Sequence, residues 1–430
     1  MKPYGSGVMM GADLAPLFRQ LGFYEEFLKI GKPVAKMTYF NENLKPQSVT
    51  DYSEAQRLGG AQQYTVSRSE LHKLLWSQLP PESVHLGKQV FTYSQDEEHV
   101  VIRFMDGTKY SGHVIVGADG AYSVVREQLF LYLISRDKMK TSEDAIEPFS
   151  SVCLVGQTEV LDPNEFPSLR SELSETATMQ GSSNLCTWQT FVTKRNTVCW
   201  TVNRTLTKWL CKNDSDTYYP TEWGLEKPEE MCKEVRDLKV PGGKDGKVLT
   251  LGDYIDRTPT NMLAKLHWNE RLFTTWYAGR TVLIGDACHK MNPCEGSSTL
   301  SAMHDAVAIA NWLNTVRSPS VTDLNIVFKE YKAERYPIAK EAFDSSQALA
   351  GKLTKNVNST KVRTSVQRIP SWPSKRDIFK MIAARPQAAF LPLVQDKGQL
   401  KPAHQLSLHK SKEVLRQQEI DLEFEALASC

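Results

Sequence analysis

Apolar residues at Leu14, Leu17, Phe18, Leu21, Tyr24, Phe27 and Leu28 recur at the spacing of one helix face, which predicts an amphipathic helix over residues 13–29. Residues 37–40 read as a short strand. Ser67-Arg68-Ser69-Glu70 has the form of a capping box, in which the Ser67 hydroxyl caps a helix and Glu70 reaches back to its amide. Leu71, Leu74 and Leu75 give that helix a buried stripe. Residues 99–105 and 109–116 read as two strands around an Asp106-Gly107 turn, the second ending in the apolar run Val114-Ile115-Val116.

From about 148 to 275 strand-like stretches (151–155, 187–192 and 197–201) alternate with polar loops, and glycine patterns suited to a cofactor are absent. That texture predicts a separate lobe built on a sheet. Residues 281–284 form another buried strand, followed by a turn and a long helix whose apolar face is Leu300, Met303, Val307, Ala310 and Leu313. Beyond about 350 the chain is rich in Lys, Arg, Pro and Ser with a helical patch near the end, which predicts a loosely packed extension.

Composition narrows the classes. The 430 residues suffice for two domains, or for one with an inserted lobe. Fifty-two Lys+Arg against fifty Asp+Glu leave a formal charge of +2, which provides no field for nucleic acid or an anionic membrane. No apolar run approaches the roughly 18 residues of a membrane span, and the first residues have no apolar core of a secretory signal. Eight cysteines at 153, 186, 199, 211, 232, 288, 294 and 430 form neither a Cys-x-x-Cys pair nor a zinc-type cluster. Free thiols in a reducing, cytoplasmic compartment are the expectation.

Two strand–turn–helix junctions carry the candidate chemistry. In Val114-Ile-Val-Gly-Ala-Asp119-Gly120-Ala-Tyr-Ser123-Val-Val-Arg126, glycines let the backbone turn tightly at the mouth of an α/β crevice. The same residues also read as an ordinary turn with an aspartate cap. The second junction is Gly279-Arg280-Thr-Val-Leu-Ile-Gly285-Asp286-Ala287-Cys288-His289-Lys-Met-Asn-Pro293-Cys-Glu-Gly296-Ser297-Ser298-Thr299-Leu300, continuing to Asp305-Ala306. There a strand delivers Asp286 where a carboxylate can accept hydrogen bonds from a hydroxylated ligand. The loop then leads into a helix N-terminus whose free amides favour negative charge. His289 reads as an ordering residue of the loop, and Cys288 and Cys294 as small buried fillers.

This pair of motifs resembles the DG and GD fingerprints of the para-hydroxybenzoate-hydroxylase-like FAD monooxygenases, fungal secondary-metabolism members in particular. Tyr64-Thr-Val-Ser-Arg68-Ser-Glu-Leu71 resembles the family's R-x-x-L helix start. The resemblance implies an α/β fold: an FAD/NAD(P)-binding Rossmann-like domain in two parts (1–147 and 276–350), a substrate-binding lobe (148–275) and a C-terminal extension (351–430). It implies FAD as cofactor, NADPH or NADH as reductant, and O₂ with a small hydrophobic organic molecule as substrates. Arg68 would contact the phosphate–ribityl region, Val90 would lie near the adenine, and Asp286 would hold the ribityl hydroxyls. Pro293 and the backbone from Gly296 through Ser297, Ser298, Thr299 and Leu300 would hold the isoalloxazine end. Asp119, with Arg126, would link FAD binding to NAD(P)H use. The protein would supply binding, orientation and exclusion of water, with no side chain as catalytic acid or base. The W-x-W-x-I-P signature of flavin halogenases is absent.

The chain also departs from that family. Its fold opens with a strand, a G-x-G-x-x-G turn and a helix. Here the only early G-x-G is Gly5-Ser6-Gly7, and Met10 stands where a third glycine belongs. The expectation is that about one βαβ unit, roughly 30 residues, is missing, through a truncated gene model or a degenerate, non-catalytic paralogue that no longer binds FAD. Ser298 stands where the family has Gly, and Leu300-Ser301 where it has Asn. A Cβ at 298 is expected to crowd the flavin or forbid a positive φ.

Overall fold

The computed structural model describes residues 7–139, 151–181, 186–205, 228–244, 247–268, 270–291, 297–355 and 375–428. Its largest element is a seven-stranded sheet in the order Leu263–Trp268, Ser151–Gln157, Val198–Thr205, Cys186–Val192, Thr176–Gln180, Lys36–Asn41, Pro46–Asp51. Neighbours are antiparallel except Thr176–Gln180, which runs parallel to Lys36–Asn41. The two strands at one edge therefore come from residues 36–51, far upstream of the rest.

The two faces of this sheet do different work. On one, Phe40, Met179, Trp188 and Val202 stand in one cross-strand row and pack under helices Pro228–Val235 and Leu251–Ile255. Trp188 and Trp200 are fully buried there, and their indole N–H groups donate to the Lys239 carbonyl (2.8 Å) and Thr258 Oγ1 (3.0 Å). They are core residues with satisfied polar ends. The opposite face carries Gln157, Cys199 and Phe191 in register. It docks on the other half of the molecule: Phe191 occupies the space a Cβ on Gly7 would need, and Ser67 Oγ donates to Gln157 Oε1 at 2.8 Å.

That other half is built around two parallel strands, Ile115–Gly117 and Thr281–Leu283, with Tyr277–Ala278 antiparallel to the second. Helices Val124–Ile134, Ser297–Leu313 and Val321–Lys355 pack with them into one core that includes Leu129, Trp276, Val282, Ile309 and Phe328. Gly7–Met10, Gln63–Ser67 and Lys32–Val34 form a separate antiparallel sheet, so Gly7 belongs to a long-range antiparallel pairing and not to a dinucleotide-binding βαβ turn. Among the described residues no helix is long and apolar enough to cross a membrane.

Three expectations are corrected. The helix over 13–29 is two, Ala15–Gln20 and Tyr24–Ile30, because Gly22 takes φ +82° between them; the apolar face survives, with Leu14, Leu17, Phe18 and Phe27 buried. The capping box at Ser67 does not close. Its hydroxyl is committed to Gln157 and shared with Ser69, and Glu70 pairs with Arg195 Nε at 2.5 Å, so tertiary partners displace the local ones. The C-terminal extension is packed: Ile378 and Ile382 lie against Ala12, Val34, Tyr52 and Ala55. Its backbone is paired with side-chain amides, the Ala388 N–H donating to Gln20 Oε1 and the Ala389 N–H to Asn311 Oδ1, each at 2.8 Å.

One buried carboxyl opposes this packing. Asp13 Oδ1 accepts the Gly11 N–H at 2.9 Å, but Oδ2 is buried without a partner. Burial pushes its pKa up from 3.8 to about 6 against the lowering effect of the Gly11, Asp13 and Leu14 amides. A raised carboxyl pKa contributes stability below its unfolded value that is lost as pH rises through the folded value. Asp13→Asn keeps the Gly11 bond and removes the charge. It should stabilise the fold by up to about 3 kcal/mol at pH 7.5 and give no gain at pH 4, as measured by urea unfolding at both pH values.

Candidate functional site

The parallel strands 115–117 and 281–283 end side by side, so the DG and GD turns emerge at the same edge of the sheet, where α/β folds bind ligands. Gly285 opens the GD turn with φ +59°, and a Cβ there would sit 3.0 Å from the Ala302 methyl. Only glycine meets both conditions.

A buried carboxylate fixes this turn. Asp305 Oδ2 accepts the Gly285 N–H at 3.0 Å and lies 2.5 Å from His289 Nε2, while Asp305 Oδ1 accepts from Arg335 Nε at 2.7 Å. Arg335 Nη2 also donates to Ser301 Oγ at 3.2 Å. Asp305 and His289 are wholly buried and Arg335 nearly so. Burial raises the Asp305 pKa, but His289 and Arg335 outweigh it and hold the carboxyl at about 2, so it is ionised at any working pH. His289 is an ordering residue, as its sequence context suggests. Cys288 is a buried filler: burial, then the carboxylates of Asp305 and Asp286, push its thiol well up, away from a reactive thiolate.

The DG turn joins the same structure through Arg126. Its guanidinium donates to the Ala287 carbonyl (3.1 Å) in one turn and the Ala121 carbonyl (3.0 Å) in the other, and lies over the Phe273 ring at 4.2 Å. Asp119 acts locally, accepting from Ser123 Oγ (2.5 Å) and the Val125 N–H (3.1 Å) at the start of helix Val124–Ile134. The N-cap itself is Ser123, whose Oγ accepts the Arg126 N–H at 2.9 Å, and Asp119 supports it by accepting from that hydroxyl and a further first-turn amide. Lys290, buried just after the GD turn, holds its ammonium 4.3 Å from the Trp268 ring and 4.9 Å from the Tyr122 ring. It thereby joins the GD segment, the DG turn and the seven-stranded sheet.

The remaining candidates are spread over other elements. Asp286 is half-buried on the GD turn. Arg68 opens helix Arg68–Trp76, is exposed, and makes no side-chain hydrogen bond or ion pair among the described residues. Val90 is the half-buried first residue of strand Val90–Gln95. Pro293, Cys294 and Gly296 lie outside the described residues. Ser297, Ser298, Thr299 and Leu300 form the first turn of helix Ser297–Leu313. The non-glycine residues of positive φ are Leu44, Asp137 and Asn196, so no backbone strain arises at Ser298. Leu300 points into the core with Leu14, Val66 and Leu71. Sequence reasoning missed Arg335 and Lys290. Arg335 lies 30 residues beyond Asp305; the signal that could have found it is its place in the apolar stripe, between Tyr331 and Ala339 at helical spacing.

This donor set fits a flavin dinucleotide: an uncommitted guanidinium at a helix start for phosphate, a carboxylate on a glycine turn for hydroxyls, and first-turn amides for an electron-rich ring. An α/β core with a sheet-based lobe and two strand-borne turns at one sheet edge defines a flavoprotein fold. The chain belongs to the FAD binding domain family, which matches residues 13–218 and 248–346.

It is 28% identical to the FAD-dependent monooxygenase esdpE of Penicillium shearii over 345 residues, 77% of this chain and 65% of that protein. To the FAD-dependent monooxygenase paxM of Penicillium paxilli it is 26% identical over 362 residues, 80% of this chain and 70% of that one. The chain thus spans about two thirds of the length of these curated relatives. Among solved structures, CtdE in complex with FAD and a substrate superposes with a TM-score of 0.62 at 14% identity, covering 84% of this chain and 83% of that one. HpxO of Klebsiella pneumoniae, complexed with FAD and uric acid, gives 0.58 at 16% identity, covering 88% and 83%.

Asp305→Asn removes the counter-charge of a buried guanidinium and an acceptor of the Gly285 amide. It should cost about 3–5 kcal/mol, read as a lower denaturation midpoint, whereas Cys288→Ala should stay within about 1.5 kcal/mol of the parent.

Proposed function

We propose that this protein is an FAD-dependent, NAD(P)H-using monooxygenase acting on a small hydrophobic organic substrate. The observation that carries the reading is the GD turn locked by Asp305 and tied through Arg126 to the DG turn at one sheet edge. The monooxygenase names of the relatives support it.

In this reading Arg68 neutralises the phosphates, and Val90 contacts the adenine end. Asp286 accepts hydrogen bonds from the ribityl hydroxyls. Pro293 and the backbone from Gly296 through Ser297, Ser298, Thr299 and Leu300 hold the isoalloxazine end, the helix amides favouring negative charge. Asp119 shapes the DG turn, and Arg126 couples it to the GD turn. Bound FAD, reduced by NADH or NADPH, supplies the electrons that activate O₂ for insertion of one oxygen atom.

The substrate would lie on the sheet face turned toward the GD turn, where Thr178, Gln189 and Thr201 form one cross-strand row. Trp268 stands on that same face and donates its indole N–H to the Met291 carbonyl at 2.8 Å, which brings the row to the edge of the GD segment. The protein's part is to bind, orient and exclude water. No side chain is needed as a catalytic acid or base.

Titration of the purified chain with FAD, followed by fluorescence quenching, should saturate at micromolar concentration. Arg68→Ala and Asp286→Ala should each weaken binding about tenfold or more, the loss of one charge-assisted hydrogen bond. No quenching by a folded parent chain would sink this reading and leave a non-catalytic member of the family.

A further inference from the structure

The face of the seven-stranded sheet that points away from the GD turn is incompletely filled. Thr38, Ala177 and Thr190 stand in one row across three neighbouring strands. The next row along holds Phe40, Met179 and Trp188. Where the small row falls short in volume, the segment 168–175, Pro241 and Tyr254 bridge over it without reaching it. A cavity of about 410 Å³ remains, within the size range of sites for small molecules.

Its lining is chemically mixed. Val192, Val198, Phe40 and Leu173 form apolar walls. Among them are three hydroxyls, of Thr38, Thr190 and Tyr254, none of which has a side-chain hydrogen-bond partner among the described residues. Thr190 is 6% exposed and Tyr254 is 3% exposed. Burial pushes the Tyr254 hydroxyl up, so it stays protonated and can donate. Neither oxygen is shielded from solvent, so a ligand hydroxyl entering the cavity can reach both. Lys36 and Glu175 stand at the rim with opposite charges, which gives a cation or an anion no net attraction.

We propose that this cavity is a second binding site, for an uncharged phenol or cyclic alcohol whose ring lies on Ala177, Val192 and Val198 and whose hydroxyl pairs with Thr190 and Tyr254. Its floor, the row Thr38, Ala177 and Thr190, faces away from the proposed substrate position, while Thr176 and Phe191 border it from the strand ends. A ligand here contacts strand residues whose neighbours face the GD half: Thr190 adjoins Gln189 and Phe191. The site is therefore placed to bind a molecule other than the one oxidised, or a second copy of it. The proposal holds whether or not the chain binds FAD.

The probe is p-cresol, titrated into the whole chain and followed by saturation-transfer NMR, with no cofactor added. Saturable binding in the millimolar range is expected. Ala177→Phe fills the floor and should abolish it. Thr190→Val preserves shape and removes one hydroxyl, and should weaken it about fivefold, the effect of a single hydrogen bond. Circular dichroism and FAD quenching of each variant report folding independently. Absence of saturable binding to the parent chain overturns the proposal, as does undiminished binding to a folded Ala177→Phe protein, which would place p-cresol elsewhere. Should Ala177→Phe fail to fold, Thr190→Val decides: an unchanged affinity overturns the site.

Discussion

The ionised carboxylate of Asp305 is the point on which the cofactor half depends. It sits on helix Ser297–Leu313, accepts the amide of the positive-φ Gly285, and is neutralised by His289 from the strand after the turn and Arg335 from helix Val321–Lys355. One charge thus holds four segments in register. Such a group costs several kcal/mol to desolvate, and it is tolerated because its contacts are charge-assisted and the surrounding core admits no water. Trp276 and Tyr331 pack around it, so the polar knot and the apolar core stabilise each other. The DG turn inherits this rigidity through Arg126, and the seven-stranded sheet through Lys290 and Trp268.

The sheet then separates two environments. Its helix-covered face is apolar, with two tryptophans whose N–H groups are satisfied at its margin. Its other face carries Thr, Gln and Asn side chains at alternate positions and docks on strands 7–10 and 63–67. Period-2 alternation puts these sets on opposite sides. A single sequence register therefore supplies both a self-contained core and a polar floor turned to the cofactor half.

What was legible in the sequence was what is local. The strands at 115–117 and 281–283, the glycines that end them, and the apolar face of the helix from 297 are each visible within a few residues. So was the ordering role of His289. The strand expected over 109–116, however, is two, Lys109–Gly112 and Ile115–Gly117, in different sheets, and Val116 is exposed. The failures share a cause, which is that distant partners override local preference. Ser67 and Glu70 carry the right types for a capping box, but Gln157 and Arg195 lie closer to hand in the folded chain. The tail reads as loose because it is polar, yet Gln20 and Asn311 meet its backbone over several hundred and nearly eighty residues of chain. Arg335 sits in the apolar stripe with Phe328, Tyr331 and Ala339, which marks it as buried, but nothing local names the carboxylate it will meet.

Asp119 and Ser298 show how a motif and its geometry can diverge in meaning. At Asp119 the motif suggests a ligand contact, while the geometry shows a carboxylate whose acceptors are engaged by Ser123 and Val125. What the geometry shows is a residue that shapes the turn leading into helix Val124–Ile134. At Ser298 the departure from glycine suggests strain, yet the residue is helical and half-buried. The added Cβ changes the surface of the first helical turn and leaves its backbone helical. Leu300, where the family has a polar residue, turns inward to Leu14 and Val66 and secures that turn from below. At Ser298 and Leu300 the difference is therefore one of side-chain shape, on a backbone that is regular helix.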